Sequence, residues 1–378
     1  MRETPYAEEI NMFRVAILIV GFRNPQDVYG CLTALSHLAP EPEFDIFVCE
    51  NGGIESFNRL VNALTGVPGP CDDITGTNDT PAFLIPSRKD RLVEVKGLVL
   101  KGRRSRVWIA RAVQNLGYAG GVNAWIDRLL LVNGWDGIWI LNPDCEPEPN
   151  ALRALVERAI EGNKGMVGST IVPFTNPNHV HCRGGHRWRK FRTGNAIIGF
   201  GDSINAPINL SAIEGTLDCI SGASMYVTRS CLETIGTMDE RFFLYYEDAD
   251  WSMRAKRQGL GYAQSSIVRH AGGTTIGSAP LRSRRSQLSV YLESRNRIHF
   301  IRIYWRRFLP LGYVIGLVYA FTYLFAGAPK NFSAALSGIA AGMRGETGQP
   351  QVAHRLVQTK PYSNEEQAAS SSPKTIRS

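Results

Sequence analysis

The sequence predicts an α/β fold in which a mostly parallel, Rossmann-like sheet carries helices on its faces. Short apolar runs rich in β-branched residues recur along the first half of the chain, and turns rich in Gly, Pro or Asn end them. Stretches with helical spacing separate these runs. Strands that alternate with helices pair in parallel, and such sheets bind ligands outside the carboxyl ends of the strands. We therefore expect the functional residues at those ends.

The first two strands are predicted at residues 15–20 and 44–49. A turn at 21–25 and a helix at 27–38 separate them, and the second strand ends in Glu50-Asn51-Gly52-Gly53. Because acids precede the first run and no small-residue cleavage site follows it, we interpret it as a buried strand and not as a signal peptide. This interpretation predicts a cytoplasmic active domain.

The rest of the chain is less regular. We predict an inserted loop at 67–106 with a hairpin around 92–100, followed by strands at 107–109 and 137–141. A helix at 149–161, a strand at 165–172 and an irregular basic stretch at 181–210 come next. The polar tail after residue 345 is expected to be disordered.

Bulk properties indicate a globular protein with an anionic partner. The hydrophobic content of 44% is enough for a sizeable core, and the formal net charge is +8. Eight arginines and one acid lie between positions 282 and 307, which favours a phosphorylated ligand or an acidic lipid surface. The seven cysteines form no CxxC pair, so a reducing cytosol is the simpler interpretation.

A stretch without charged residues, 308–329, follows the arginines. As a helix it would be roughly 33 Å long, enough to cross a hydrocarbon core. The basic, aromatic segment before it suits an anionic bilayer surface. The alternative is a basic helix packed on the domain and followed by a buried hairpin, which its glycines would suit.

Two acidic clusters are candidates for chemistry. Asp144 follows the strand at 137–141, where a carboxylate can hold a divalent cation, although Asn-Pro-Asp is also an ordinary turn. The second cluster, at 239–251, places an aromatic run directly before Glu247, Asp248 and Asp250. Acids there can cap a helix, but the aromatic residues would also form a dry wall that tunes a carboxylate as a proton acceptor.

Two further motifs are weaker. The glycine-rich stretch 115–123 would let backbone amides approach a ligand before a helix begins at Asn123, and a plain loop is the alternative. His270 follows a short apolar run, and its small neighbours would leave the imidazole free to reach a metal or a diphosphate.

The order and separation of these motifs resemble family 2 glycosyltransferases, particularly the bacterial rhamnosyltransferase-like branch, over roughly residues 12–300. The matching pieces are 21–24, 49–52, 115–123, 141–144, 221–223, 239–254 and His270. The resemblance implies a GT-A fold with a catalytic domain at 12–280, a basic and hydrophobic, membrane-associated helical segment at 281–345, and a disordered tail at 346–378. The insertion has no clear family counterpart.

The resemblance also implies roles for individual residues. Asp248 takes the place of the catalytic base, Asp144 that of the metal ligand, and His270 that of a further ligand or diphosphate contact. Glu50 stands where the family usually has Asp near the base and ribose. The predicted nucleotide-binding residues are Phe22, Asn24, Glu50, Asn51, Asn115, Gly117, Tyr118, Gly121, Asn123 and Asn142. The predicted acceptor contacts are Gly222, Glu247 and Trp251.

The implied activity is inverting transfer of a sugar, for example rhamnose, from a dTDP- or UDP-sugar to a saccharide or lipid-linked acceptor in cell-surface polysaccharide synthesis, with Mg²⁺ or Mn²⁺. The implied location is the cytoplasmic face of a bacterial membrane, with no nucleic acid as partner. A sugar nucleotidyltransferase is disfavoured because the first turn has one glycine and no basic phosphate loop. A non-catalytic nucleic-acid- or membrane-binding protein would not require carboxylates at successive strand ends.

Overall fold

The computed structural model describes residues 12–74, 81–85, 90–272 and 282–350. The strands are β1 Arg14–Gly21, β2 Glu43–Glu50, β3 Cys71–Asp73, β4 Leu92–Leu100, β5 Arg106–Ala112, β6 Gly137–Leu141, β7 Cys145–Pro147, β8 Met166–Pro173, β9 Cys182–Arg183, β10 Gly185–Arg189, β11 Gly194–Ile197, β12 Cys219–Ile220, β13 Ser224–Thr228 and β14 Leu260–His270. The helices are α1 Pro25–Ser36, α2 Ile54–Thr65, α3 Gly117–Leu129, α4 Ala151–Glu161, α5 Leu210–Thr216, α6 Arg229–Ile235, α7 Glu247–Ala255, α8 Gln287–Tyr304, α9 Leu309–Phe325 and α10 Pro329–Arg344.

The centre of the main sheet is the parallel set β5-β2-β1-β6. Alternate side chains of β1 enter different cores: Ile17 and Ile19 pack with α1 and α2, whereas Leu18 and Val20 pack with α3. Burial on both faces explains why these strands are continuous apolar runs. The predicted α/β fold, with a central sheet flanked by helices, is confirmed.

The second half of the sheet is mixed. Strand β13 lies antiparallel between β6 and β8, and β14 is parallel to β8. Strands β6, β8 and β14 therefore run in one direction, and their carboxyl ends share an edge with those of β1 and β2. Strand β7 returns along the end of β14 and places Cys145 opposite His270. The turn before β13, at 221–223, lies at the same edge.

Two stretches are more regular than we predicted. Within 67–106, the predicted hairpin around 92–100 is a single strand, β4, which forms a hairpin with β5 and also pairs with β3, so the described part of this insertion extends the main sheet. Within 181–210, β10 and β11 form a hairpin that β12 completes as a three-stranded sheet. The buried Arg183 anchors this stretch by donating to Asp202 and Tyr262. Long-range pairing of this kind leaves no local periodicity.

Helix α3 begins at Gly117, six residues before the predicted start at Asn123. Gly117 has φ +73°, and an added Cβ would lie 2.4 Å from the carbonyl oxygen of Phe243. The same oxygen accepts the Tyr118 amide at 2.7 Å. A Cβ on Gly121 would lie 2.8 Å from Val20. These glycines therefore let protein, and not a ligand, approach the backbone, which corrects the predicted ligand loop.

The C-terminal helices pack on one another. Helix α10 lies along α8, and α9 lies along α10. Glu346 accepts the Tyr291 hydroxyl at 2.6 Å, and the Gly348 carbonyl accepts Arg295 at 2.8 Å. The predicted disordered tail is therefore wrong at its start, because 346–350 is bound to α8. Residues 351–378 lie outside the described residues.

Helix α9 is the one helix among the described residues that is long and apolar enough to cross a membrane, counted as Arg306–Phe325 with 22% of its hydrophobic window buried. Its buried residues are Gly312, Gly316, Ala320 and Tyr323. The opposite face exposes Val314, Leu317, Val318, Phe321, Leu324 and Phe325. The structure therefore contains the helical hairpin of the alternative prediction, but the hairpin is not fully buried, because one apolar face of α9 is exposed.

Candidate active site

The shared edge of the sheet brings together side chains that lie far apart in sequence. Residues of five segments meet there: the start of α3, the loop after β6, the turn before β13, the start of α7 and the end of β14. The predicted residues that line this cleft are Tyr118, Asn142, Asp144, Gly222, Glu247, Asp248 and His270.

Asp144 and His270 face each other across the β7–β14 pairing. The His270 Nε2 atom lies 3.2 Å from Asp144 Oδ1, and the Asp144 backbone carbonyl accepts the amide of Ala271 at 3.1 Å. Together with the Cys145 sulfur, their ligand atoms lie within 4.8 Å of one another. The Cys145 thiol is buried and points to the carbonyl of Ala223 at 3.4 Å. Burial raises the pKa of this thiol well above its usual value.

The donor set at this position suits a hard divalent cation. Asp144 is 8% exposed, so its carboxylate is held in place but is not sealed off. Carboxylate oxygen and imidazole nitrogen are suitable first ligands for Mn²⁺, and Mg²⁺ takes the carboxylate and keeps water or phosphate oxygens. A protonated thiol that faces a backbone carbonyl is not such a ligand. Asp144 and His270 therefore fit the predicted ion, and Cys145 does not.

Tyr118 connects the two acidic clusters. Its hydroxyl lies 2.9 Å from Asn142 Oδ1 and 3.1 Å from the carbonyl oxygen of Gly222. The pKa of this phenol is raised well above its ordinary value, first by burial and then by the charges of Glu247, Asp248, Cys145 and Asp144. Because the Tyr118 phenol interacts electrostatically with carboxylates of both clusters, Asp144 and Asp248 lie in the same cleft.

The Asp248 carboxylate is oriented by two backbone amides. Its Oδ2 accepts the Gly222 amide at 3.2 Å, and its Oδ1 accepts the Ala249 amide at 2.8 Å. A Cβ on Gly222 would lie 3.0 Å from Oδ2, so the lack of a side chain there admits the carboxylate. Asp248 is half-buried in the first turn of α7, where the helix dipole favours a negative charge.

Glu247 is the buried neighbour of this carboxylate. It is 5% exposed, and its Oε2 has no hydrogen-bond partner within the described part of the chain. Burial, followed by the charge of Asp248, raises the pKa of Glu247 well above its usual value. Burial and the adjacent charge therefore both favour the neutral form of Glu247.

Several predicted nucleotide-binding residues are engaged inside the protein. The fully buried Glu50 accepts the amides of Arg23 at 3.1 Å and Gly52 at 2.7 Å, and burial raises its pKa. Asn51 accepts the Leu116 amide and donates to the Gly117 carbonyl. These contacts hold the loop at the end of β2 against the start of α3. The predicted nucleotide-binding residues that remain partly accessible at this edge are Phe22, Asn24, Asn115, Tyr118 and Asn142.

Burial contradicts two of the predicted contacts. Both amide atoms of Asn123 are bound, the oxygen to the Met238 amide and the nitrogen to the Met238 carbonyl and Glu240. Trp251, predicted as an acceptor contact, is 0% exposed and donates its Nε1–H to the Gly236 carbonyl at 2.8 Å. It is a core residue, because the apolar face of α7 turns it away from the cleft.

Two histidines that the sequence analysis did not single out lie near the cleft. Burial, followed by the charge of His270, lowers the pKa of His181. The pKa of His186 is also lowered by burial, while the charge of Asp248 opposes that shift. His181 directly precedes β9, which pairs with β8 of the main sheet, whereas His186 lies in β10 and pairs with Cys219 of β12. Local sequence carries no signal of these pairings.

The protonated state of Glu247 has a consequence for stability. Its pKa is raised on folding, so the folded protein keeps a proton that the unfolded chain releases near pH 4.5. Stability should therefore fall as the pH rises from about 4.5 toward the raised pKa, by up to about 1.4 kcal/mol per unit of pKa shift. Glu247→Gln removes this cost, so we expect it to raise the free energy of unfolding at pH 7.5 and to lose that gain near pH 4.5.

Urea denaturation at the two pH values measures this difference. Glu161→Gln, at an exposed glutamate that ends α4, is the matched control and should show little change at either pH. A Glu247→Gln gain of equal size at both pH values, or no gain at pH 7.5, would contradict the assigned protonation.

Comparisons with known proteins indicate the class of enzyme. No protein-family model matches the chain. The chain is 26% identical over 247 residues to the low-salt glycan biosynthesis hexosyltransferase Agl10 of Haloferax volcanii, covering 63% of this chain and 76% of that protein. It is 26% identical over 208 residues to the N-acetylglucosaminyl-diphospho-decaprenol L-rhamnosyltransferase of Mycobacterium tuberculosis, covering 48% of this chain and 65% of that protein.

Among solved structures, the chain is similar to the mannosyltransferase PcManGT of Pyrobaculum calidifontis in complex with GDP-Man and Mn²⁺, at 12% identity and a TM-score of 0.43, covering 91% of this chain and 78% of that one. This score is too low to support an argument. The sequence relatives are sugar transferases, and by homology to them the chain is a glycosyltransferase.

Proposed function

We propose that this glycosyltransferase is metal-dependent and inverting, and that it moves a sugar from a nucleoside diphosphate to a hydroxyl group of a saccharide acceptor. The observation that carries the proposal is the connection through Tyr118, which places the candidate metal ligand Asp144 and the candidate base Asp248 in one cleft. In transfer with inversion, a positive group stabilises the leaving diphosphate and a base assists the attacking hydroxyl, and both must lie within reach of one sugar; here a cation at Asp144 and the Asp248 carboxylate would serve.

In this proposal Asp248 accepts the proton of the acceptor hydroxyl as that oxygen attacks the anomeric carbon. The bond to the nucleoside diphosphate breaks on the opposite face of the sugar, and a single displacement inverts the configuration. The amides of Gly222 and Ala249 fix the carboxylate before the acceptor arrives, which lowers the entropic cost of reaching the transition state. The raised pKa of Glu247 favours its neutral form, which limits the negative charge beside the base.

Asp144 and His270 would hold the divalent cation. When bound, such an ion neutralises the charge that the departing diphosphate gains. The half-buried Phe22, Asn24 and Asn115 lie at the strand ends where the nucleoside would enter, and Asn142 is fixed by Tyr118. In this arrangement Glu50 and Asn51 hold the loop at the end of β2 through contacts inside the protein and do not contact the nucleobase.

The acceptor that we propose is a lipid-linked saccharide. The name of the mycobacterial relative gives an N-acetylglucosaminyl-diphospho-decaprenol as its acceptor, and that of the archaeal relative places it in glycan biosynthesis. Here the open apolar face of α9 follows a basic segment that includes the exposed Arg306 and Arg307. An apolar face next to arginines suits the cytoplasmic surface of an anionic membrane. Neither a nucleotidyltransferase nor a nucleic-acid-binding protein has support among the relatives.

Neutralising the proposed base should abolish most of the transfer. We expect Asp248→Asn to lower kcat by about two to four orders of magnitude, because an amide cannot accept the proton. Glu247→Gln should keep most of the activity at pH 7.5, because the amide resembles the protonated acid. The measurement is release of nucleoside diphosphate from a panel of dTDP- and UDP-sugars with Mg²⁺ or Mn²⁺ and a lipid-linked acceptor. An Asp248→Asn variant with near wild-type turnover would remove Asp248 as the base.

Removing the proposed metal ligands should weaken cation binding, which can be measured in the absence of sugar transfer. We expect Asp144→Asn and His270→Ala each to weaken Mn²⁺ binding in the presence of UDP by at least about tenfold. Electron paramagnetic resonance of free Mn²⁺ measures this directly. Asp72→Asn, at an exposed acid on the edge strand β3, is the matched control. Unchanged Mn²⁺ affinity in both variants would place the ion elsewhere.

Charging the open face of α9 should release the protein from membranes. Val314 and Val318 are 58% and 59% exposed and lie one turn apart. We expect the double substitution Val314→Asp and Val318→Asp to reduce co-flotation with anionic liposomes strongly and to leave the melting temperature near that of the wild type. Leu131→Asp, at an exposed leucine remote from α9, should float as the wild type does. Wild-type protein that stays in the lipid-free fraction would refute membrane binding.

A further inference from the structure

A cavity of about 520 Å³ lies between the small sheet, the start of α7 and the C-terminal helices. His186 of β10, residues of β11 and Tyr246, which directly precedes α7, line one part, and Arg285 and residues of α8, α9 and α10 line the rest. Tyr246 lies two residues before Asp248 in the sequence, so this end of the cavity is near the proposed base. The other end passes along the packed face of α9.

The charged groups that line the cavity are two arginines and one acid. Arg285 pairs with Glu293 through Nη2 and Oε2 at 2.6 Å. Arg297 is the cation in excess of this pair. The Nε–H groups of both arginines are buried and have no hydrogen-bond partner within the described ranges. Buried guanidinium donors without partners are costly unless a ligand satisfies them. The cavity is therefore complementary to an anion.

Arg297 is oriented before any ligand binds. Its guanidinium carbon lies 4.4 Å from the centre of the Tyr319 ring, a cation–π contact with α9. Burial acts to lower the pKa of Arg297, but the neighbouring Tyr246 and Glu293 outweigh burial and the pKa is raised. The group is a fixed cation with planar donors, the kind of group that binds phosphate oxygens in pairs.

The rest of the cavity wall is mixed, with Asn195, Ser294 and three tyrosines beside an apolar part. In the apolar part Ile197, Ile298 and Ile339 contribute branched side chains, and Gly316 and Ala320 keep the α9 wall thin. The opposite face of α9 is the open apolar surface described above. A free nucleotide or a soluble sugar phosphate would leave the apolar part of the wall without a partner. A molecule with an anionic group and a hydrocarbon chain would use both parts of the cavity.

We propose that this cavity binds the diphosphate of a lipid-diphosphate-linked acceptor, with Arg297 as the principal contact, Arg285 as the second, and the first part of the lipid chain along the α9 wall. The inference rests on the proposed function, which it deepens by placing the acceptor. The acceptor sugar then lies at the His186 end, beside Asp248. The donor diphosphate is assigned to Asp144 and His270, so the two diphosphates occupy separate subsites.

A binding experiment tests this placement without sugar transfer. Isothermal titration of the full chain in detergent with farnesyl diphosphate, farnesol and inorganic pyrophosphate, all in EDTA, keeps the metal site from recruiting phosphate. We expect wild-type protein to bind farnesyl diphosphate at least about tenfold more tightly than farnesol or pyrophosphate. Arg297→Gln should bring farnesyl diphosphate to the affinity of farnesol. Arg297→Lys should give an intermediate affinity, because it keeps the charge but loses the planar donors.

Arg344→Gln is the matched control, since Arg344 is an exposed arginine at the end of α10, outside the cavity. It should bind farnesyl diphosphate as the wild type does. Each variant is first compared with the wild type by melting temperature, and Arg297→Lys carries the test where Arg297→Gln does not fold. Equal binding of farnesyl diphosphate by the wild type and the Arg297 variants would overturn the proposal. Pyrophosphate bound as tightly as farnesyl diphosphate would overturn the lipid carrier as the ligand.

Transfer assays separate this inference from the proposed function. If the wild type binds farnesyl diphosphate through Arg297 but transfers no sugar from any donor, the proposed reaction fails and the cavity assignment stands. Transfer is also measured for one saccharide carried on a prenyl diphosphate or on a plain alkyl chain. We expect Arg297→Gln to lower the ratio of kcat/KM for the diphosphate acceptor to kcat/KM for the alkyl acceptor by at least about tenfold. If Arg297→Gln reduces kcat/KM equally for both acceptors, the diphosphate subsite fails.

Discussion

The active-site geometry depends on a short segment that two buried side chains of α8 hold in a strained conformation. Phe243, Tyr245 and Tyr246 have φ of +64°, +69° and +74°, which costs roughly 1–3 kcal/mol for each such residue. The Asn296 amide donates to the carbonyls of Phe242, Leu244 and Tyr245 at 2.8, 2.8 and 2.9 Å. Arg295 donates to the Phe242 carbonyl as well. Carbonyls that a continuing helix or strand would have paired are thus satisfied, and α7 starts at the edge of the sheet.

Helix α8 therefore joins parts of the chain that we predicted to be separate. One face carries Asn296 and Phe300, which contact the segment before α7, and another carries Arg297 toward the cavity. Helix α10 packs along the same helix. We therefore propose that the catalytic unit extends through Tyr304, beyond the boundary predicted at residue 280.

The sequence was sufficient to predict the features that local pattern determines. Parallel strands end at a common edge, so the residues that follow apolar runs, Asn24, Glu50 and Asp144, were expected there, and they lie there. Contacts between distant segments were not predictable in this way. A glycine permits close approach by a ligand or by protein, and only the position of Phe243 decides that Gly117 serves the protein. For the same reason Trp251 could not be recognised as buried from its place beside the acids.

The adjacent acids Glu247 and Asp248 lie in the same turn of α7 but differ in burial and in hydrogen bonding. Glu247 turns inward, where burial and the charge of Asp248 raise its pKa, whereas Asp248 accepts the Gly222 amide at the cleft. We predicted that the aromatic run before these acids would tune a carboxylate, and the carboxyl group whose pKa burial raises is that of Glu247. Two adjacent carboxylates repel each other and compete for the same proton. The raised pKa of Glu247 lessens that competition, while the amides of Gly222 and Ala249 keep Asp248 oriented for a hydroxyl that enters from the cavity.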